Sequence, residues 1–502
     1  MDWREAVIYE IYVRSFRDAN GDGVGDLPGV LERLDYVARL GADAIWLTPI
    51  HPSPDADLGY DVAGYTAVDP RLGTLEDLDR LLAAAHGRGL RVLLDLVLNH
   101  TSDQHPWFRE HPDWYIHARV PNNWLSVAGG PAWSYDAARD EYYLHTFLPE
   151  QPDLDWRNPD VRAAIAEAMR FWLDRGVDGF RLDALPVLIK DRQLRDNPPR
   201  DGWRPGQPEY ARLLPARTVD QPEMDEVVAF LHGVVSEYAD RVLVAEMGLP
   251  PERAARYYAG IDVPFNFGLI TEPWTAPRLG RRITAHLEHL PEGASPNWVL
   301  GNHDVRRLTS RLGPERARVA AVLGLTLPGT LTLYYGDELG LPDSSRRLSV
   351  PRDGFGRRDP ARSRDPARAP MPWDGSINGG FSGAEPWLPA YEDAGTIGVA
   401  AQERDGASFL SLYRRLLALR REHGWARGVV AGLSDTETEL IYDRGRHRVL
   451  ARVEDGERTI ALPSPGRIVA GTRPRPDAVV DAVTLSGPDA VVVELDKSGQ
   501  MS

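Results

Sequence analysis

Short runs of apolar, often β-branched residues alternate along this chain with stretches in which apolar positions recur every three to four residues. The first pattern predicts strands and the second predicts amphipathic helices. Side chains change face at every residue of a strand, whereas in a helix they return to one face about every 3.6. Strands are predicted at residues 7–13, 44–47, 91–98, 178–182, 241–245, 261–265, 298–300 and 330–334. Helices are predicted at 27–40, 75–88, 161–175, 223–239, 281–289, 314–325 and 408–423. Eight buried strands with helices between most of them predict an α/β fold, the (β/α)8 TIM barrel.

Two stretches break that rhythm. From His100 to about Trp156 the chain is rich in Pro, Trp, Asn and Asp, and it is too long for an ordinary strand-to-helix loop. It is expected to form an inserted subdomain, residues 101–156, after strand 3. Past Trp425 the helical periods stop, and short alternating runs separated by Pro and Gly predict a C-terminal β-sandwich over 425–502. The barrel then comprises 1–100 and 157–424. Residues 191–208 and 342–368 read as long loops on it. The second loop contains a local duplication, Arg358-Asp359-Pro360-Ala361-Arg362 and Arg364-Asp365-Pro366-Ala367-Arg368.

Composition narrows the chemistry. The formal net charge is −16, which disfavours binding to a phosphate backbone, so no nucleic-acid partner is expected. No apolar run approaches the ~20 residues of a membrane span, so no membrane partner is expected either. The chain has no cysteine, which excludes disulfides, thiolate metal sites and thiol nucleophiles. Met1-Asp2-Trp3-Arg4-Glu5 has neither the basic nor the apolar region of a secretory leader, and a cytoplasmic location is expected. There are two lysines, Lys190 and Lys497, which leaves no evident Schiff-base or phosphate-loop lysine. The 14 tryptophans often sit beside His, Asp and Pro in loops, as at His105-Pro106-Trp107 and Pro372-Trp373-Asp374. Flat rings among hydrogen-bonding groups suit a sugar, whose faces are apolar and whose rim is polar.

In such barrels, polar residues at the C-terminal ends of the strands are active-site candidates. Four predicted strands end in Asp95-Leu-Val-Leu-Asn99-His100, Gly179-Phe-Arg181-Leu-Asp183, Val244-Ala245-Glu246 and Gly301-Asn302-His303-Asp304. Carboxylates clustered at one mouth repel one another, so a purely structural role for all of them is hard to sustain. With Gln151-Pro-Asp-Leu-Asp155-Trp156 and Tyr335-Gly336-Asp337-Glu338-Leu-Gly340, these motifs resemble glycoside hydrolase family 13, the α-amylase family, in its α-glucosidase and oligo-α-glucosidase branch. The resemblance runs from Ile8 to about His423.

The resemblance implies a retaining exo-acting α-glucosidase that hydrolyses terminal non-reducing α-glucosyl residues of a small-molecule α-glucoside. Asp183 would be the nucleophile, Glu246 the general acid/base and Asp304 a third acid holding sugar hydroxyls. Arg181 would keep Asp183 ionised, and His100 and His303 would hydrogen-bond the reacting glucose. In Gly59-Tyr60-Asp61, Tyr60 would stack on that ring, and Asp61 would grip its 4-hydroxyl together with an arginine from the last barrel loop. That arginine is Arg364 rather than Arg358, because only the second copy of the duplication precedes Pro370-Met371-Pro-Trp373. Ala184, next to the nucleophile, favours α-1,4 over α-1,6 linkages in this branch.

The loop Asp18-Ala-Asn20-Gly-Asp22-Gly-Val24-Gly-Asp26 spaces oxygen ligands at alternate residues, as calcium loops do. The resemblance implies structural Ca2+ or Mg2+ there, held by Asp18, Asn20, Asp22, Asp26 and the main-chain oxygen of Val24, and no organic cofactor. The same covalent intermediate would also serve a transglucosylase or a glucosyl isomerase of the trehalose synthase or sucrose-acting type. A non-catalytic transporter-associated homologue would lack the three acids that this chain retains.

Overall fold

Eight parallel strands close into a barrel in the computed structural model of this protein, which describes residues 1–496. Positions 497–502 of the expected C-terminal domain, with Lys497, lie outside the described residues. In chain order the barrel begins with β1 (Val7–Ile11), β2 (Ala44–Leu47) and β3 (Arg91–Leu96). Three short strands then leave it: β4 (His117–Ala118), β5 (Trp133–Asp136) and β6 (Glu141–Leu144). The barrel resumes with β7 (Gly179–Leu182), β8 (Val242–Ala245), β9 (Val263–Asn266), β10 (Asn297–Val299) and β11 (Thr330–Tyr334). Around the barrel the order is β1-β11-β10-β9-β8-β7-β3-β2.

Local chemistry sets these elements. The helix Leu27–Leu40 buries Leu27, Val30, Leu34, Val37 and Leu40, one stripe at helical spacing. Asp26 caps its start by accepting from the Gly29 amide at 2.7 Å, and Gly41 ends it with a φ of 101° that disfavours any side chain. The predicted first strand, 7–13, stops at Ile11, because Tyr12 turns the chain into the short helix Val13–Phe16. The predicted strand 91–98 stops at Leu96, while Val97 and Leu98 remain buried outside the ladder. Apolarity marks burial, and the strand ends where its neighbours cease to pair.

Side chains pointing inward, including Ile8, Trp46, Leu93, Val244 and Phe265, fill the barrel interior. A larger apolar layer lies between the strands and the surrounding helices. The insertion carries a three-stranded antiparallel sheet in the order β4-β6-β5. Its neck is closed by a bridge between His100 and Asp153, and by the Leu154 amide donating to the Asn99 carbonyl at 2.9 Å.

The expected terminal β-sandwich takes the form of one continuous antiparallel sheet. Its strands are β12 (Ala431–Asp435), β13 (Glu439–Arg444), β14 (His447–Arg452), β15 (Glu457–Gly471), β16 (Val479–Ser486) and β17 (Asp489–Leu495). The order is β12-β13-β14-β17-β15-β16, with the register shifting within β15 where it passes from β16 to β17.

Barrel register builds the mouth. Leu96 pairs with Leu182, and Leu182 with Ala245. The next residues continue the ladder: the Asp183 amide donates to the Leu96 carbonyl at 3.1 Å and the Glu246 amide to the Leu182 carbonyl at 2.9 Å. Two carboxylates thus leave adjacent strands at matching levels.

Candidate active site

A cavity of about 540 Å³ at the C-terminal end of the barrel is lined by Asp183, Glu246 and Asp304, and the first two are held from behind by Arg181. Arg181 is fully buried over the Trp46 ring, with its guanidinium carbon 4.8 Å from the ring centroid. Nη1 donates to Asp95 at 2.9 Å and to Asp183 at 2.6 Å, while Nη2 donates to Glu246 at 2.5 Å. Asp95 is fixed from its other side by the Tyr60 hydroxyl at 2.8 Å and the Trp46 indole at 3.1 Å. One cation therefore gathers three carboxylates from neighbouring strands.

Burial pushes both Asp183 and Glu246 up to about 7, with Arg181 pulling against it and the adjoining carboxylates adding to it. Asp304 behaves oppositely. Burial raises it, but His303 and the guanidinium groups of Arg364, at 2.8 Å, and Arg368, at 3.0 Å, hold it well below the usual carboxylate range.

His303 stacks on Tyr60, with centroids 5.2 Å apart and planes at 13°. Its Nδ1 lies 2.5 Å from Glu10 Oε1 on β1, and its Nε2 lies 3.4 Å from Asp304. His100 contacts the Tyr60 carbonyl at 3.0 Å, the Gln151 amide at 2.9 Å and Asn99 at 3.2 Å. Burial lowers His100 to about 4, so the ring is neutral. Ala184 lines the cavity in a left-handed conformation, φ 44°, and its amide faces Glu246 at 3.3 Å. That strained turn directs the Asp183 carboxylate and the Ala184 amide to one spot.

The structure brings Asp183, Glu246, Asp304, Arg181, Tyr60, His100, His303, Ala184 and Arg364 together, and it corrects one expectation. Arg364 does not meet Asp61. Its Nη2 donates to Asp57, its Nε donates to Asp353 at 2.9 Å, and its Nη1 reaches Asp304. The Asp61 carboxylate is folded back into its own loop, accepting from Ser53 at 2.7 Å and from the Ala56 and Asp57 amides at 2.8 and 2.9 Å. Left-handed turns at Asp55 and Leu58 reverse the chain there and turn Asp57, rather than Asp61, into the cavity. Arg358, the other copy of the duplication, is exposed.

Sequence reasoning also passed over Glu10, Asp353 and Arg368. Glu10 had a signal, as the one charge inside the apolar run of β1. Asp353 and Arg368 had none, because they are recruited by tertiary contacts within the last barrel loop.

The loop 18–26 holds its acids by amide donors. Asp18 accepts from Gly21 and Gly23 at 2.6 and 2.8 Å, and Asp26 from Gly29 and Asn20 at 2.7 and 3.1 Å. Among the described residues, no three His, Asp or Glu side chains converge as a metal site. Asp18 and Asp26 are nonetheless both buried, and neither has an Arg or Lys partner among the described residues. With Asn20, Asp22 and the Val24 carbonyl they form an all-oxygen set, the donor chemistry that suits a hard divalent cation.

Three comparisons bear on this site. A model of the alpha amylase catalytic domain matches residues 10–428. The chain is 40% identical to a probable α-glucosidase of Rhizobium meliloti, over 92% of this chain and 88% of that protein. It is 39% identical to an α-glucosidase of Apis mellifera, over 83% of this chain and 78% of that protein. Among solved structures, an α-glucosyl transfer enzyme superposes with a TM-score of 0.91 at 37% identity, over 98% of this chain and 99% of that one.

Proposed function

Because the chain belongs to the α-amylase family of glycoside hydrolases, we propose that it is an exo-acting, retaining α-glucosidase. It removes single glucosyl units from the non-reducing ends of small α-glucosides. The observation that carries this reading is the Arg364–Asp57 pair, which stands at the cavity wall beside Asp304 and offers fixed donors and an acceptor to a terminal sugar hydroxyl. A wall of paired charges there leaves a pocket for one glucose rather than a cleft for a chain.

The chemistry uses the carboxyls that Arg181 bridges. Asp183, ionised, attacks the anomeric carbon and forms a glucosyl ester, while Glu246 gives its proton to the leaving oxygen. Glu246 then takes a proton from water as that water attacks the anomeric carbon from the face opposite the ester, and the bond from that carbon to the Asp183 oxygen breaks. Two inversions give retention, and carboxyls reaching neighbouring nitrogens of one guanidinium are consistent with the ~5–5.5 Å spacing of retaining enzymes rather than the wider inverting geometry. Asp304, held ionised by Arg364 and Arg368, accepts from sugar hydroxyls, and neutral His100 flanks the same ring together with His303.

Ala184 beside the nucleophile leaves room that favours α-1,4-linked, maltose-type substrates. A divalent cation, Ca2+ or Mg2+, would be held by Asp18, Asn20, Asp22, Asp26 and the Val24 carbonyl, where it would tie the loop after β1 to the helix Leu27–Leu40. It supplies stability and takes no part in the reaction. No helix of the described residues is long and apolar enough to cross a membrane. The absence of cysteine supports a cytoplasmic setting.

The test is anomeric NMR during hydrolysis of maltose and isomaltose. α-Glucose is expected as the first product, with maltose the better substrate. First release of β-glucose would overturn the retaining mechanism, and equal or higher efficiency on isomaltose would overturn the linkage assignment.

A further inference from the structure

A cavity of about 220 Å³ lies where the terminal sheet meets the barrel, away from the catalytic carboxylates. Four arginines line it, and none of its lining side chains is acidic. Arg318 comes from the helix Pro314–Thr326 and Arg415 from the helix Phe409–Glu422, while Arg473 and Arg475 follow β15. The depression around Arg14, Arg71 and Arg352 differs, because Asp22, Asp55 and Glu385 line it as well. Four cations in one pocket stand against a net charge of −16 for the whole chain.

Main-chain oxygens hold these guanidinium groups without neutralising them. Arg318 Nη2 donates to the Ala407 carbonyl at 2.8 Å, and Arg415 Nε donates to the Val469 carbonyl at 2.6 Å. Neither has an ion-pair partner among the described residues. Burial lowers the Arg318 pKa, with Asp405 pulling weakly the other way. Arg473 approaches Glu315 at 3.7 Å, through a glutamate side chain that is 63% exposed. Arg475 pairs with the buried Asp489, but its Nε is buried with no partner among the described residues. The pocket therefore concentrates donors and positive charge that the protein itself leaves unsatisfied, and like charges gathered this way favour an anion.

We propose that this pocket binds a phosphate group, free or as the monoester of a small metabolite, and that the bound group ties the terminal sheet to the barrel. Guanidinium forks pair with phosphate oxygens through two parallel hydrogen bonds. Cations arriving from four chain positions suit a tetrahedral dianion better than a flat carboxylate, which offers two oxygens and one charge. The volume is below the roughly 300–1,000 Å³ of drug-sized sites, which restricts the occupant to a small anion. Ser408, at the rim, caps the start of the helix Phe409–Glu422, so the positive end of that helix adds to the field of the arginines. Because Arg318 and Arg415 belong to barrel helices and Arg473 and Arg475 to the terminal sheet, one anion bridges the two parts.

Titration calorimetry and thermal melts of the full chain test this with inorganic phosphate, glycerol 3-phosphate and acetate at matched ionic strength. At least one phosphate probe is expected to bind with a Kd below about 1 mM, and acetate at least about tenfold more weakly. That phosphate probe at a hundred times its Kd is expected to raise Tm by about 2 °C or more. Arg415→Gln, at an exposed position where folding is not at stake, is expected to weaken phosphate binding at least about tenfold, as is Arg318→Gln. Arg80→Gln, which removes an exposed charge on the helix Leu75–His86, is expected to change it less than about twofold. The tighter of the two phosphate probes identifies the source, free anion or monoester. A Kd above about 1 mM for both, acetate binding as tightly as phosphate, no effect of Arg415→Gln, or equal weakening by Arg80→Gln would overturn the site.

Discussion

Arg364 donates to the carboxylate of Asp57, four residues before Asp61, and the identity of that partner decides which aspartate guards the sugar pocket. Asp57 lines the cavity and balances a buried guanidinium, whereas Asp61 organises the turn that presents it. Asp57→Asn is therefore expected to weaken the grip on a terminal glucose, lowering kcat/KM by about 2–4 kcal/mol, roughly 30- to 1,000-fold. Asp61→Asn removes a charged acceptor from two buried amides and is expected to lower stability by about 1–3 kcal/mol, with kcat/KM falling less than about tenfold. Kinetics on maltose together with thermal melts separate the two. A silent Asp57→Asn beside a crippled Asp61→Asn would reverse the assignment.

The duplicated loop supplies its own control. Arg364 meets Asp57, Asp304 and Asp353, while Arg358 is exposed. Arg364→Ala leaves three carboxylates short of a cation and is expected to lower kcat/KM by at least about a hundredfold. Arg358→Ala is expected to change it less than about twofold. Internal cleavage of soluble starch by Arg364→Ala, read as mid-sized fragments, would show that the arginine is the wall.

The barrel was legible because it repeats. Eight apolar runs at regular intervals leave few alternatives, and the boundary errors at Val13 and Leu98 concern pairing rather than burial. The residues gathered on Arg181 were legible because strand ends place them by register alone. The Arg364 partner was not, since Asp57 and Asp61 share a loop and differ only in how left-handed turns at Asp55 and Leu58 aim them. Asp353 is further from reach. It joins Arg364 through the folding of an irregular loop, which no periodic pattern describes.

The raised carboxyls of Asp183 and Glu246 are expected to make activity bell-shaped in pH. Both carboxyls are raised to about 7, first by burial. The working form has Glu246 protonated and Asp183 ionised, so kcat/KM is expected to fall as pH rises above about 7 and to fall again on the acid side as Asp183 takes up a proton. The linkage to stability has a definite sign. A carboxyl whose folded pKa lies above its unfolded value near 4 contributes its full stability below that value and loses it as pH rises through about 7. Glu246→Gln cannot ionise, so its Tm relative to the parent is expected to be higher at pH 8 than at pH 4.5. The same variant is expected to lose roughly 10²–10⁴ in kcat on substrates with poor leaving groups. A relative Tm that is flat from pH 4.5 to 8 would contradict the raised pKa.

A cation in loop 18–26 would act at a distance from the reaction. Asp18 and Asp26 are buried with no basic partner among the described residues, and their mutual repulsion is relieved when an ion binds. Binding to the folded state alone stabilises by RT ln(1 + [L]/Kd), so chelation is expected to lower Tm, and excess Ca2+ or Mg2+ to restore it. At temperatures below the transition, kcat is expected to stay the same. An unchanged Tm after exhaustive chelation, with no metal in elemental analysis, would remove the ion from this protein.

Lys190 is the one lysine among the described residues of a chain that otherwise uses arginine, and it sits in a fully buried, packed site. The ammonium is buried, donating to Asn99 Oδ1 at 2.5 Å and pairing with Asp153 Oδ2 at 2.7 Å. Asn99 in turn donates to Asp153 at 2.9 Å and touches His100 Nδ1 at 3.2 Å. Asp153 is bridged to His100 at the neck of the insertion, so one buried charge pair ties the end of β3, the insertion and the loop after β7 to a ring that lines the pocket. Lys190→Met leaves Asp153 charged and uncompensated, a loss of about 3–5 kcal/mol in stability. Lys190→Arg keeps the charge but adds bulk to a packed site, at about 1–3 kcal/mol. The double variant Lys190→Met with Asp153→Asn removes both charges and is expected to recover part of the stability lost by Lys190→Met alone. Because His100 lines the pocket proposed to hold the substrate ring, folded Lys190→Arg is expected to show a raised KM on maltose with a smaller change in kcat. A parental Tm in Lys190→Met would mean that the pair holds nothing, and an unchanged KM in Lys190→Arg would detach Lys190 from the positioning of His100.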